Sequence, residues 1–369
     1  MKRILAFVLA MMMALLTLAA CGEGPVTDSN TDSSSESAQA STSSDVASSD
    51  TDTENTTDSD EPDEPVKHLI ALTDQRNDEI VVLDLDAADP TSDAAIVWRW
   101  NANMHGDVEY ASLSKNRLDD VKLRYNEAWG GYVVAMTSSG GLVAIVSYPE
   151  GKCLWNVGLT GQGPHSIEIL PNGLVVVVNS AGHTIKVFRA LSKNDTSGVS
   201  LPLVGAHGVV YDPEEELIWA LGDKALDAYY VGGTREDPKL NLLGDMGYYD
   251  FYNGHDLTPV FGDNNRLWVS HIGVSQFDKE KGVFDKDFDP TVAQALSGDV
   301  KSIGSFRDGW IVATRAEGSV NQTAAHNTQT VRLLYPVPAA DGTVSYQMKD
   351  ILFPNRDFYK VRVFVEDYQ

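Results

Sequence analysis

The stretch His165-Ser166-Ile167-Glu168-Ile169-Leu170, the turn Pro171-Asn172-Gly173, and the run from Leu174 to Val178 decide the fold. A second turn, Asn179 to His183, leads into Thr184-Ile185-Lys186-Val187-Phe188. Short β-branched runs between Gly, Asn and Pro punctuation read as strand, turn, strand, turn, strand. The same plan recurs along the chain. His207-Gly208-Val209-Val210-Tyr211 precedes Leu217 to Leu221 and then Ala225 to Tyr229, and His255-Asp256-Leu257 precedes Leu267 to Ser270 and then Val274 to Phe277. Lys122 to Tyr125 precedes Tyr132 to Met136 and Leu142 to Val146, and Lys301-Ser302-Ile303 precedes Trp310 to Thr314 and, after an insertion, Thr330 to Leu334.

The sixth unit is split between the two ends of the chain. His68 to Leu72, Glu79 to Leu85 and Ala95 to Trp100 supply second, third and fourth strands, and the first-strand pattern reappears at Tyr359 to Phe364. A last strand that completes the first blade leaves no long open edge. First strands beginning at 122, 165, 207, 255, 301 and 360 have the period of four-stranded blades. Helical periodicity is nearly absent, apart from a short helical turn expected over Pro290 to Leu296. The expectation is an all-β, single six-bladed β-propeller over 66–369, with a pair of β-sandwiches as the competing architecture.

Residues 1–65 read differently. Lys2 and Arg3 precede an apolar run, Ile4 to Ala20, that has the form of a signal peptide over 1–20. The segment Leu18-Ala19-Ala20-Cys21-Gly22 resembles the lipobox of bacterial lipoproteins. That resemblance implies cleavage before Cys21 and a diacylglycerol on its thiol, anchoring the protein at the outer face of the bacterial cell membrane. Gly22 to Pro65 is rich in Ser, Thr, Asp and Glu and holds no Lys or Arg. Such a segment buries too little apolar surface to offset its ordering entropy, so 21–65 is expected to be a disordered tether. The only other cysteine is Cys153, in a strand-like setting, which suggests a buried inert thiol and excludes a disulfide framework. The formal net charge of −25 argues against nucleic acid as a partner. Nothing in the repeat pattern calls for an oligomer, and a monomer is expected.

The signature from Gly163 to Gly173 resembles a known family, as do Ala206-His207-Gly208-Val209-Val210-Tyr211, Gly254-His255-Asp256-Leu257, Val300-Lys301-Ser302-Ile303 and Tyr359-Lys360-Val361-Arg362. The family is an uncharacterised group of secreted bacterial propeller lipoproteins, a domain of unknown function. The resemblance implies the fold and an extracytoplasmic location, and it implies no chemistry. The ending Lys360-Val361-Arg362-Val363 departs from the Tyr-Lys-Ala-Arg-Trp that the resemblance leads one to expect.

Superposing the repeats places a nitrogen base at the start of each innermost strand: Lys122, His165, His207, His255, Lys301 and Lys360. Six such side chains around a channel suggest a site for an anionic or carbohydrate ligand, with Lys supplying charge and His one or two donors. Simple capping of strand starts is the plainer account of the same residues. His165, His207 and His255 could alternatively hold a divalent metal such as zinc, if their nitrogens converge. The turns after the second strands should reach the same face and form a rim from Asp74, Gln75, Arg76, Asn179, His183, Asp223, His271 and Arg315. Tyr248, Tyr249, Tyr252 and Trp129 could stack on sugars, and Asp285-Lys286-Asp287-Phe288-Asp289 could bind calcium, although the strict loop pattern is absent.

Three functions compete: a binding module, a polysaccharide lyase or hydrolase using channel His and Lys, and a protein-interaction scaffold. No paired carboxylates with diagnostic spacing, GxSxG elbow or P-loop occur, and no cofactor is expected beyond a possible divalent metal.

Overall fold

The computed structural model describes residues 66–248, 253–285, 288–317 and 325–366, with side chains 245–248 excepted. Cys21, the leader and the tether lie outside them, as do Tyr249, Tyr252, Lys286 and Asp287. The described residues hold 24 strands in six antiparallel sheets of four, with the radial order the repeat pattern anticipates.

Blade 1 is split across the chain. Its strands β1 (Leu69–Asp74), β2 (Glu79–Asp84) and β3 (Ile96–Trp100) are completed on the inside by β24 (Phe358–Val363), which pairs antiparallel with β1. The other five blades are continuous. Blade 2 comprises β4 (Leu118–Asn126), β5 (Gly131–Ser138), β6 (Leu142–Ser147) and β7 (Cys153–Gly158), and blade 3 comprises β8 (Pro164–Ile169), β9 (Val175–Asn179), β10 (Thr184–Phe188) and β11 (Gly198–Pro202). Blade 4 runs through β12 (Gly208–Asp212), β13 (Leu217–Leu221), β14 (Ala225–Gly233) and β15 (Pro238–Tyr248). Blade 5 holds β16 (Asp256–Val260), β17 (Asp263–His271), β18 (Gly273–Asp278) and β19 (Val283–Asp285), and blade 6 holds β20 (Val300–Ser305), β21 (Ile311–Arg315), β22 (Thr330–Pro338) and β23 (Val344–Leu352). The one short helix, α1 (Pro290–Ala295), precedes blade 6; Asp289 caps it by accepting from Thr291 N–H at 2.8 Å.

Alternation along each strand sends apolar side chains to both faces, because each blade is sandwiched between two others. Val133, Val143 and Trp155 of blade 2 pack against Ile167, Val175 and Phe188 of blade 3, all buried. Ile70 and Leu72 of blade 1 meet Val312 and Val331 of blade 6 in the same way. Cys153 is buried, and burial pushes its thiol up to about 11. The inner strands β24, β4, β8, β12, β16 and β20 each touch the next and close the ring.

Candidate functional site

All six inner strands carry one extra residue at the same height. In β4 the register passes from Leu118↔Ser138 to Asp120↔Thr137, leaving Asp119 unmatched. The same slip leaves His165 unmatched in β8 and Lys301 in β20, and puts Tyr359 and Lys360 together against Thr73. In blades 4 and 5, His207 N–H and His255 N–H bond the carbonyls of Leu221 and Ser270, the residues that Gly208 and Asp256 already oppose. This is a β-bulge, which re-aims the side chain at its first position.

The bulge sets the equivalences. The mouth of the channel is ringed by Asp119, His165, His207, His255, Lys301 and Tyr359. Counting from the bulge, Lys360 stands one residue deeper and Lys122 three. Only four of the six bases aligned from sequence share the mouth tier.

Each ammonium already has a carboxylate. Lys122 Nζ lies 3.3 Å from Glu168 Oε2 and donates to the Val209 carbonyl at 2.5 Å. Lys360 Nζ donates to Asp256 Oδ1 at 3.1 Å and to the carbonyls of His165 and His207 at 3.3 and 3.2 Å. Lys301 Nζ sits 2.9 Å from Asp299 Oδ1 and 2.8 Å from His255 Nε2. Arg124 and Arg362 join them below the mouth, gripping Glu168, Asp120 and Asp256. Burial pushes the Asp120 and Asp256 carboxyls up, but Arg362 and Lys360 outweigh it and hold both below the usual carboxylate range. Burial lowers the Lys122 and Lys301 ammoniums against the pull of these acids. The expected positive ring is therefore a neutralised buried network.

The imidazoles are held differently. His165 Nδ1 lies 2.8 Å from the Gly163 carbonyl, and His207 Nδ1 lies 2.7 Å from the Gly205 carbonyl. A carbonyl only accepts, so Nδ1 carries the hydrogen and Nε2 presents a lone pair. Desolvation pushes His165 down to about 3 and His207 well below its ordinary value, so both rings are neutral. The rings stand edge to face, with centroids 4.5 Å apart for His165 and His207 and 5.3 Å for His207 and His255. The buried His255 Nδ1 has no hydrogen-bond partner. Asp119 Oδ1 approaches His165 Nε2 at 3.8 Å; burial pushes this carboxyl up to about 8, against a hydrogen bond from Ser139 N–H. His326 leans on Tyr359, whose hydroxyl burial raises well above its ordinary range.

Among the described residues no three His, Cys, Asp or Glu side chains are placed to hold a metal ion. His165, His207 and His255 are not placed to hold one ion, and His255 Nε2 already meets Lys301 Nζ at 2.8 Å and Asp299 Oδ1 at 3.2 Å. Of the calcium turn, Lys286 and Asp287 lie outside the described residues, while Asp285 accepts from Arg266 at 3.2 Å and Asp289 caps α1.

Most rim residues perform turn chemistry. Asp74 accepts from Asn77 at 2.7 Å and from Arg356 at 2.9 Å, and Arg76 Nε donates to Asp357 at 3.1 Å. Gln75 bridges the Leu118 carbonyl and Asn327 at 2.8 and 3.0 Å. Asn179 donates to Thr184 at 3.2 Å, His271 contacts Ser275 at 3.0 Å, and Arg315 donates to the Ser297 carbonyl at 3.2 Å. His183 accepts from Gly205 N–H at 3.0 Å and Asp223 from Asn253 N–H at 2.8 Å. Trp129 follows the far end of β4 and donates to the Gly173 carbonyl at 3.2 Å, away from the mouth.

A profile described as a family of unknown function (DUF6528) matches residues 38–334. The chain belongs to DUF6528. No curated protein matches this DUF6528 chain. Among solved structures it is similar to a protein of unknown function from Bacteroides caccae, at 11% identity over 80% of this chain and 98% of that one, with a TM-score of 0.47. It is also similar to a functionally unknown protein from Desulfotomaculum acetoxidans DSM 771, at 13% identity over 76% and 84%, TM-score 0.44. Virginiamycin B lyase from Staphylococcus aureus matches at 14% identity over 64% and 70%, TM-score 0.39. Likenesses of this degree carry no argument about the chemistry of the DUF6528 propeller.

Proposed function

We propose that this propeller is a binding module that receives a neutral, hydroxyl-rich ligand, a saccharide unit, at the mouth of its channel. The observation that carries the reading is the pair of Nε2 lone pairs on His165 and His207, each fixed by a backbone carbonyl on the far side of its ring, with Asp119 3.8 Å from the Nε2 of His165. Two acceptors held side by side suit hydroxyl donors. A carboxylate or sulfate would face lone pairs instead, with the ammoniums of Lys360 and Lys301 already bound to Asp256 and Asp299. Lyase chemistry is less well served, because a general base works best with a pKa near the working pH and His165 is held near 3. The sequence at Cys21 supports presenting this module from a lipid anchor on the outer face of the membrane.

The test is a thermal-shift and calorimetric panel of neutral and uronic oligosaccharides against the wild-type chain and His207→Phe. A neutral oligosaccharide should raise the melting temperature by mass action. His207→Phe should weaken it about tenfold, the loss of one good hydrogen bond. Tightest binding by uronic oligosaccharides, release of an unsaturated uronate, equal binding by the variant, or silence across the panel would each overturn the proposal.

A further inference from the structure

The inner strands run from the histidine mouth to the opposite face, and a cavity lies there. The chain leaves β16 at Phe261, leaves β20 at Phe306 and Arg307, and continues from β24 into Phe364 and Val365. Together with Leu69 and Lys67 these residues line a cleft of about 260 Å³ that opens to solvent on one side. Its walls are apolar: Phe306 and Phe364 are buried, and Phe261 and Leu69 are half-buried beside them. A dry apolar cavity of about 150 Å³ already accepts benzene, so this one has room for an aromatic ring or a short acyl chain.

The polar character of the cavity is one-sided. Its only charged lining groups are Lys67 and Arg307, with no Asp or Glu among the lining residues. That is unusual in a chain of net charge −25. Arg307 lies over the Phe261 ring, its guanidinium carbon 5.8 Å from the centroid. The Phe261 ring therefore positions this cation at the apolar wall. The mouth offers neutral acceptors to hydroxyls; this end offers hydrocarbon walls with cations beside them.

We propose that the far-face cavity binds a small amphipathic carboxylate, with an acyl or aryl body against Leu69, Phe306 and Phe364 and its carboxylate between Lys67 and Arg307. Burial of the apolar body supplies the driving force. Charge-assisted hydrogen bonds from the cations select the acid over the corresponding alcohol. The site is separate from the mouth and does not depend on what binds there.

Calorimetric titration of the full chain with octanoate, 3-phenylpropionate and octan-1-ol tests the proposal. At least one of the two acids should bind saturably at one per chain and raise the melting temperature. Octan-1-ol should bind about tenfold more weakly than octanoate, as should octanoate to Lys67→Glu, each lacking the charge-assisted contact. Val365→Trp, which fills the cavity, should abolish binding. Lys67 is exposed, so its reversal keeps the test sound even if Val365→Trp fails to fold. Absence of saturable heat with both acids, an alcohol as tight as the acid, or undiminished binding by Lys67→Glu would overturn it.

Discussion

Arg362 grips Asp256 across the channel with both terminal nitrogens, Nη2 at 2.6 Å from Oδ1, while its Nε reaches Asp120 at 2.7 Å. One guanidinium on the C-terminal strand thus ties blade 1 to blades 2 and 5, with all three side chains buried.

Removing one partner of this group should be severe. Asp256→Ala leaves Lys360 and Arg362 facing each other without their shared acceptor, and breaking a buried pair costs about 3–5 kcal/mol. Asp256→Leu combined with Arg362→Met should lose clearly less than the sum of its single variants. Urea unfolding of the four proteins measures both; additive losses would show that the pair is not coupled.

The mouth should make stability depend on pH in two opposing ways. His165, His207 and His255 have folded pKa values lowered by desolvation, so the unfolded chain binds their protons first as pH falls below about 6.5. Their contribution is complete above that value and is lost toward pH 3, where His165 titrates in the folded state. Asp119 acts in the reverse sense. Its folded pKa is raised from 3.8 to about 8, so the folded state keeps a proton that the unfolded chain releases, and stability falls as pH rises through that window. The histidines outnumber it on the acid side, placing the maximum near pH 6.5. Asp119→Asn should flatten the limb between pH 6.5 and 8 in urea melts taken across pH, and an unchanged slope would refute the assignment.

Gly208 occupies the second position of the bulge in blade 4. A Cβ there would lie 2.7 Å from Leu257 Cβ and 2.8 Å from Leu257 N, so two inner strands would have to move apart. Gly208→Ala should destabilise by about 1–3 kcal/mol. It should also shift the His207 ring resonances, which a change confined to the far face would leave in place.

Cys153 should stay silent to thiol reagents in the folded state. It is 3% exposed and burial pushes its thiol up to about 11. In a Cys21→Ser chain, maleimide labelling should follow the unfolding curve; fast labelling without denaturant would contradict the packing described.

The blade count, the radial order and the closure by the last strand were legible because short strands, turn residues and a repeat of blade length all pointed the same way. The tiers of the channel were not, because aligning each inner strand on its first basic residue passes over a strand whose mouth position is acidic or phenolic. The bulge puts Asp119 and Tyr359 at that position, so Lys122 and Lys360 stand below the residues they align with in sequence. The partners of the ring were also missed, although a signal existed. Glu168 lies between Ile167 and Ile169, and Asp119-Asp120 between Leu118 and Val121, acids set inside apolar runs. Such acids are rarely buried unless paired, which foretells a buried ion network. Nothing in the local sequence shows that Gly163 and Gly205 turn their carbonyls toward the imidazoles, since that depends on backbone direction at the bulge.

Blade 1 begins with β1 and is finished by β24, which is synthesised after all the other strands. Until those final residues leave the ribosome, Asp120 and Asp256 lack their guanidinium and the first blade lacks its inner edge. Without β24, the β1 edge is unpaired and Asp120 and Asp256 have no guanidinium. Ring closure becomes a late event joining spatial neighbours nearly 300 positions apart in sequence, such as Thr73 and Lys360.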